Sequence, residues 1–226
     1  MPEIRATAQY DTLAAAALLA ATGGLIDSIV YLKHGHVFAN AMTGNVILLG
    51  ISAMSHDWWQ VARHIAPLVA FIGGVAASRL LRILPGPRAA LSVLGLEIVV
   101  LFIAGLLPLS FPNIVFTGII SFVSAFQVST FRRVGRFSYN STFVTGNLRD
   151  LTEGFVGYFI DADPETRHED VAKARKLGII CSCFLLGAIL GAWAATHLAN
   201  HALWLTEPLL LIVAGRVLFH MKRVPE

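Results

Sequence analysis

The chain has 226 residues, 56% of them apolar and 14% charged, with a formal net charge of +3. A soluble domain carries roughly 25% charged residues, and at a mean hydropathy of +0.69 this chain has more apolar surface than a soluble core of its size can hide. Disorder is excluded by the same excess, and a disulfide scaffold by having only Cys181 and Cys183, two residues apart; what remains is an all-α integral membrane protein.

A helix needs about 20 mostly apolar residues to cross a bilayer, and six stretches qualify. The first is Thr12–Leu32, whose only charge is Asp27. The second runs from about Val61 to Leu84. The third is Ala89–Ser110, interrupted by Glu97, and the fourth is the uncharged Phe111–Phe131. The fifth is Leu177 to about Leu198, and the sixth is about Ala202 to Met221, with Glu207 and Arg216. The first run is too long, and its flank too weakly basic, for a cleavable signal peptide. Two shorter apolar pieces, Val46–Met54 and Phe155–Ile160, each follow a Thr-Gly-Asn tripeptide.

Lys and Arg collect on the cytoplasmic side of a membrane protein. Six spans with the N-terminus inside place fifteen of the 17 basic residues inside and leave Lys33 and Arg63 outside. If both short pieces crossed, Arg79, Arg82, Arg88, Arg132, Arg133 and Arg136 would join Lys33 outside and the bias would nearly vanish. The expectation is six transmembrane helices with both termini cytoplasmic, plus two segments that enter or lie on the membrane without crossing. A seven-span arrangement, in which Val46–Met54 alone also crosses, is the alternative.

The two halves repeat. Thr43-Gly44-Asn45 returns as Thr145-Gly146-Asn147, 102 residues on. Asp27, Tyr31 and Gly35 fall opposite Gln127, Phe131 and Gly135, and Phe71-x-x-Gly74-x-x-x-Ser78 opposite Phe184-x-x-Gly187-x-x-x-Gly191. Glu97 and the run to Ala104 match Glu207 to Ala214. One membrane domain, 1–226, thus holds repeat one at 12–108 and repeat two at 111–221. Three spans per repeat force the second copy in from the opposite face, an inverted-topology construction common in secondary transporters.

These landmarks resemble the YoaK-like family of bacterial membrane proteins, a domain of unknown function (1275). The residues that carry the likeness are Gly24-x-x-Asp27-x-x-x-Tyr31-Leu32, Phe38, Ala41-Met42-Thr43-Gly44-Asn45, Ala125-Phe126-Gln127, Phe131-Arg132 and Thr145-Gly146-Asn147-Leu148. The resemblance spans about 12–222. It implies the fold and a bacterial inner-membrane location, and supplies no substrate or reaction.

The candidate substrate path comprises Asp27, Tyr31, Asn40, Thr43, Gly44, Asn45, Glu97, Gln127, Thr145, Gly146, Asn147 and Glu207. Thr and Asn cap helix starts and Gly permits close backbone, so each tripeptide could open a half-helix whose free amides favour a polar group. The plainer reading is a pair of caps on surface helices. An intramembrane carboxylate costs about 2.5–3.5 kcal/mol on insertion scales, so it usually faces a cavity or a partner. Asp27, Glu97 and Glu207 could therefore carry protons or bind a cation, or glue helices together. Tyr31, one turn after Asp27, is placed to bond it. Histidines His34, His36, His197 and His201 are metal-ligand candidates by residue type alone, without a tight ligand motif, and no metal is expected. Glycine pairs read as packing sites, Asp161-Ala-Asp-Pro-Glu165 as solvated linker, and Arg132, Arg133 and Arg136 as a topology anchor.

No nucleotide fold, zinc-protease helix or nucleophile elbow occurs. The expectation is a transporter or channel for a small solute or ion, not an enzyme, with no cofactor and no nucleic acid. Its partners would be the lipid bilayer and, in a homo-oligomer, other copies of itself. The alternatives are a non-transporting scaffold and a membrane-embedded enzyme.

Overall fold

The computed structural model describes residues 12–81, 86–135, 137–161 and 163–223. Arg5, Arg82 and Arg136, counted above in the charge bias, lie outside the described residues. Eight α-helices are seen in the described chain: α1 Leu13–Lys33, α2 Met42–Met54, α3 Trp58–Leu81, α4 Gly86–Leu106, α5 Asn113–Thr130, α6 Val144–Ile160, α7 Pro164–Leu198 and α8 Thr206–Arg223. A 3-10 segment, Ala199–Leu205, joins α7 to α8. Five stretches are long and apolar enough to cross a membrane, and α2 is a shorter apolar helix. The fifth stretch, Pro164–Met221, breaks at Ala199, whose φ of 50° no α-helix tolerates.

Local chemistry sets the helix limits. Thr12 caps α1 by accepting from the Ala15 amide at 3.2 Å. Asp163 caps α7, accepting from the Thr166 amide at 3.0 Å, with Pro164 at the first helical position. The segment expected as solvated linker is therefore in part a helix start. At about 1.5 Å per residue, the 35 residues of α7 exceed a bilayer core. Its polar first part, with Glu165, Arg167, Glu169, Lys173 and Lys176, explains why only Leu177–Leu198 read as a span.

A small antiparallel hairpin interrupts the helical plan: Arg133–Val134 (β1) pairs with Phe137–Ser138 (β2), register Arg133 to Ser138. Gly135 makes its turn at φ 61°.

The core helix is α1. Its Ala, Gly and Leu faces are buried nearly all round, from Ala15 to Val30. It packs most closely on α7, where a side chain at Gly24 would run into the Phe184 carbonyl and one at Gly187 into the Ala21 carbonyl. In the same way α5 packs on α3, where a side chain at Gly74 would run into the Phe122 carbonyl. The remaining pairings are α2 on α3, α6 on α7, α4 on α5, α1 on α8, and α4 on α8. The outer surface is apolar: Val69, Ile72, Leu185, Leu186, Ile189 and Leu211 stand exposed, as lipid-facing side chains do.

Candidate functional site

Asp27 and Tyr31 lie on α1, and Asn40 and the two tripeptide asparagines belong to two connecting loops and helix starts that fold back along it, whereas Glu97, Gln127 and Glu207 lie elsewhere. The first loop, 34–41, runs back from the end of α1. The Phe38 ring stacks on Tyr31 at 4.7 Å between centroids, and the Asn40 amide then donates to Asp27 Oδ1 at 2.7 Å. The second loop, 131–143, runs along α1 from the other end. Val134 and Tyr139 pack with Ala16 and Ala20, and a side chain at Gly23 would meet Thr142 Cγ2 at 3.1 Å and the Ser141 carbonyl at 3.4 Å. Gly23 and Asp27 are one turn apart, about 6 Å along the axis. Both loops thus reach adjacent turns of one helix, near its middle.

Each loop is locked by an asparagine. Asn45 Nδ2 donates to the Phe38 carbonyl at 2.7 Å, and its Oδ1 accepts from the Phe38 amide at 2.9 Å. Asn147 repeats the clamp on Asn140, at 2.7 Å and 3.2 Å. Each asparagine is the fourth residue of its helix and reaches back seven residues. The helix caps themselves, Ala41 and Phe143, make no side-chain cap bond. The tripeptides therefore occupy the first turns of α2 and α6 rather than their caps. Thr43, Thr145 and Gly146 are exposed, and a side chain at Gly44 would meet the Phe38 ring.

The polar groups around Asp27 are buried and incompletely paired. Asp27 is 4% exposed and Asn40 1%. Asp27 Oδ2, Asn40 Oδ1 and Asn40 Nδ2 have no hydrogen-bond partner among the described residues. Ion pairs among the described residues join Arg149 to Asp150 and Glu153, and Lys173 to Asp150, all on α6 and α7. Tyr31 is engaged with Phe38 and, edge-on, with His36.

Gln127, opposite Asp27 in the repeat, pairs elsewhere. Its Nε2 donates to both oxygens of the buried Glu97 at 3.0 and 3.2 Å, tying α5 to α4. Glu207 lines an open groove of about 510 Å³ between α4 and α8, with Ile98, Phe102, Trp204 and Leu211. Its Oε1 has no partner among the described residues.

The histidines are packed and bonded separately. His34 is fully buried, stacks on Phe116 at 3.6 Å, and places its ring nitrogens 3.1 Å from Asn113 Oδ1 and 2.8 Å from Asn200 Oδ1. Asn200 Nδ2 donates onward to the Leu107 carbonyl at 2.8 Å. His197 stacks on Trp193 and His201 meets Trp204 edge-on. Among the described residues, no three His, Cys, Asp or Glu side chains gather as a metal site would require.

Sequence reading alone did not find Asn140, Thr142, Asn113 or Asn200. The first was legible, standing as far before Asn147 as Phe38 stands before Asn45. The His34 contacts span 79 and 166 residues, and no local pattern marks them.

A family model described as "Protein of unknown function (DUF1275)" matches residues 15–215. The chain is similar to the UPF0700 transmembrane protein YoaK of Bacillus subtilis (strain 168), with 32% identity over 205 residues, 86% of this chain and 88% of that protein. No solved structure matches.

Proposed function

The chain belongs to the DUF1275 family of transmembrane proteins, and within it we propose a transporter or channel for a small solute or ion. Its path runs between two inverted three-helix repeats, in an inner membrane with both termini cytoplasmic. The observation that carries this reading is the convergence of two loops, from opposite ends of α1, at Gly23 and Asp27. Backbone outside regular structure cannot face lipid, where each orphan group costs several kcal/mol, and is tolerated only inside protein or along a watery cavity. The α2 helix, 13 residues or about 20 Å, is too short to span and fits a half-membrane segment.

The symmetry of the packing supports the repeat. Exchange of the two halves turns the α1–α7 contact into α5–α3, α2–α3 into α6–α7, and α4–α5 into α8–α1, while α4–α8 maps onto itself. The glycine contacts follow the same exchange to within one residue: Gly187 against Ala21, Gly74 against Phe122. So do the two asparagine clamps.

The experiment is uptake into proteoliposomes across a panel of ions and small polar solutes. The reading expects flux of at least one solute, abolished by Asp27→Asn with the size-exclusion profile unchanged. Wild-type-like flux in Asp27→Asn removes that residue from the path. A specific observation favours a second reading, a non-transporting scaffold: both tripeptide asparagines are fully used in clamping backbone. Absence of flux for the whole panel supports that reading.

A further inference from the structure

We propose that Asp27 and Asn40 form a binding site for one alkali metal cation, held by Asp27 Oδ2 and Asn40 Oδ1. The location rests on the transport reading, but the binding does not require transport.

The argument begins with charge. A carboxylate in a dry interior stays ionised only if a cation partner offsets its charge, and otherwise takes up a proton. Asp27 receives backbone amides of the 39–41 loop, the shortest from Asn40 to Oδ1 at 2.7 Å, and no basic side chain is seen to pair with it among the described residues. Its second oxygen is buried and unpaired, and Asn40, whose backbone amide bonds Asp27, has both polar side-chain atoms buried and unpaired as well. A buried polar atom without a partner costs about 1–3 kcal/mol, so unpaired oxygens on two residues already in contact mark a place for a ligand.

The donor set then names the ligand class. Two oxygens, one charged and one neutral, suit a hard cation, not a soft one that seeks sulfur or imidazole. One carboxylate neutralises one positive charge, whereas divalent sites usually gather several carboxylates. Asn40 Nδ2, turned away from a cation, would be left to donate to a water of its hydration shell or to a co-transported solute.

The equivalent positions of the second half, among the described residues, are already paired. Gln127 replaces the carboxylate with an amide already bonded to Glu97, and Thr142, opposite Asn40, has its amide and hydroxyl on Asn140 Oδ1 at 2.9 and 3.0 Å.

The test is thermal unfolding of the full chain in detergent, titrated with lithium, sodium or potassium chloride against choline chloride at constant ionic strength. At a hundredfold excess over Kd, one of the three should raise Tm by about 5–10 °C. Asp27→Asn should abolish the rise. Asn40→Ala, which keeps the charge, should shift the midpoint about tenfold higher and serves where Asp27→Asn fails to fold. No difference between the alkali salts and choline, or the same rise in Asp27→Asn, overturns the site. Missing stabilisation in a protein that supports flux removes the cation site and leaves the transport path. Cation-specific stabilisation without flux keeps the site and removes the path.

Discussion

Replacing Asn45 by Ala removes both hydrogen bonds that hold the first loop against the start of α2. The Phe38 amide and carbonyl, at 2.9 and 2.7 Å from the lost side chain, are then left without their partner in a half-buried position. Each buried group left unsatisfied costs about 1–3 kcal/mol, and partial access to water at Phe38 favours the lower part of that range. The loss for the pair is about 2–4 kcal/mol, a drop in Tm of about 4–16 °C for a chain of this size. Asn147→Ala breaks the equivalent pair on Asn140, at 2.7 and 3.2 Å, and should cost nearly as much. Asn45→Asp keeps the acceptor and loses the donor, leaving the Phe38 carbonyl facing a carboxylate, so it should do no better than Ala. Thermal unfolding of purified protein in detergent measures all three. Stability unchanged within about 0.5 kcal/mol in Asn45→Ala and Asn147→Ala would refute the clamp.

Gly187→Ala and Gly74→Ala push a methyl group into the facing helix backbone and should each destabilise by about 1–3 kcal/mol. Gly50→Ala and Gly95→Ala meet nothing within 4 Å and should be neutral or stabilise by about 0.5–1 kcal/mol, in the same unfolding assay. Asp163 sits below the usual carboxylate range because the Thr166 hydroxyl and amide donate to it. A depressed carboxylate stabilises above its unfolded pKa and loses the effect as pH falls through its folded one. Asp163→Ala should therefore speed amide exchange in the first turn of α7 at about pH 7 and match wild type near about pH 2.

How much of this was legible depended on distance along the chain. The apolar spans could be read because lipid-facing and core faces are both apolar in a membrane helix, so burial need not be guessed. The paired tripeptides contain the asparagines that clamp the two loops, yet their role differs from a cap: the side chain reaches seven residues back, beyond the cap geometry that spacing alone suggests. The α7 helix was read short because hydropathy is silent on a helix that leaves the bilayer, although Asp163-Pro164 carried the start signal. The hairpin at Arg133–Ser138 is too brief for alternation to show. Glu97 and Glu207 are equivalent in the repeat, which says nothing of their partners. The observed bond of Glu97 to Gln127 joins residues 30 apart on different helices, which only packing reveals.

The central claim is that water or solute reaches Asp27 along a path between the repeats. Asp27→Cys, with Cys181 and Cys183 replaced by Ser, can be challenged with a small membrane-impermeant thiol reagent from either side of a sealed vesicle. The account predicts reaction from at least one side, slowed by a transported ion or solute. A thiol at position 27 that is inert from both sides, yet reacts once the protein is unfolded, would contradict it.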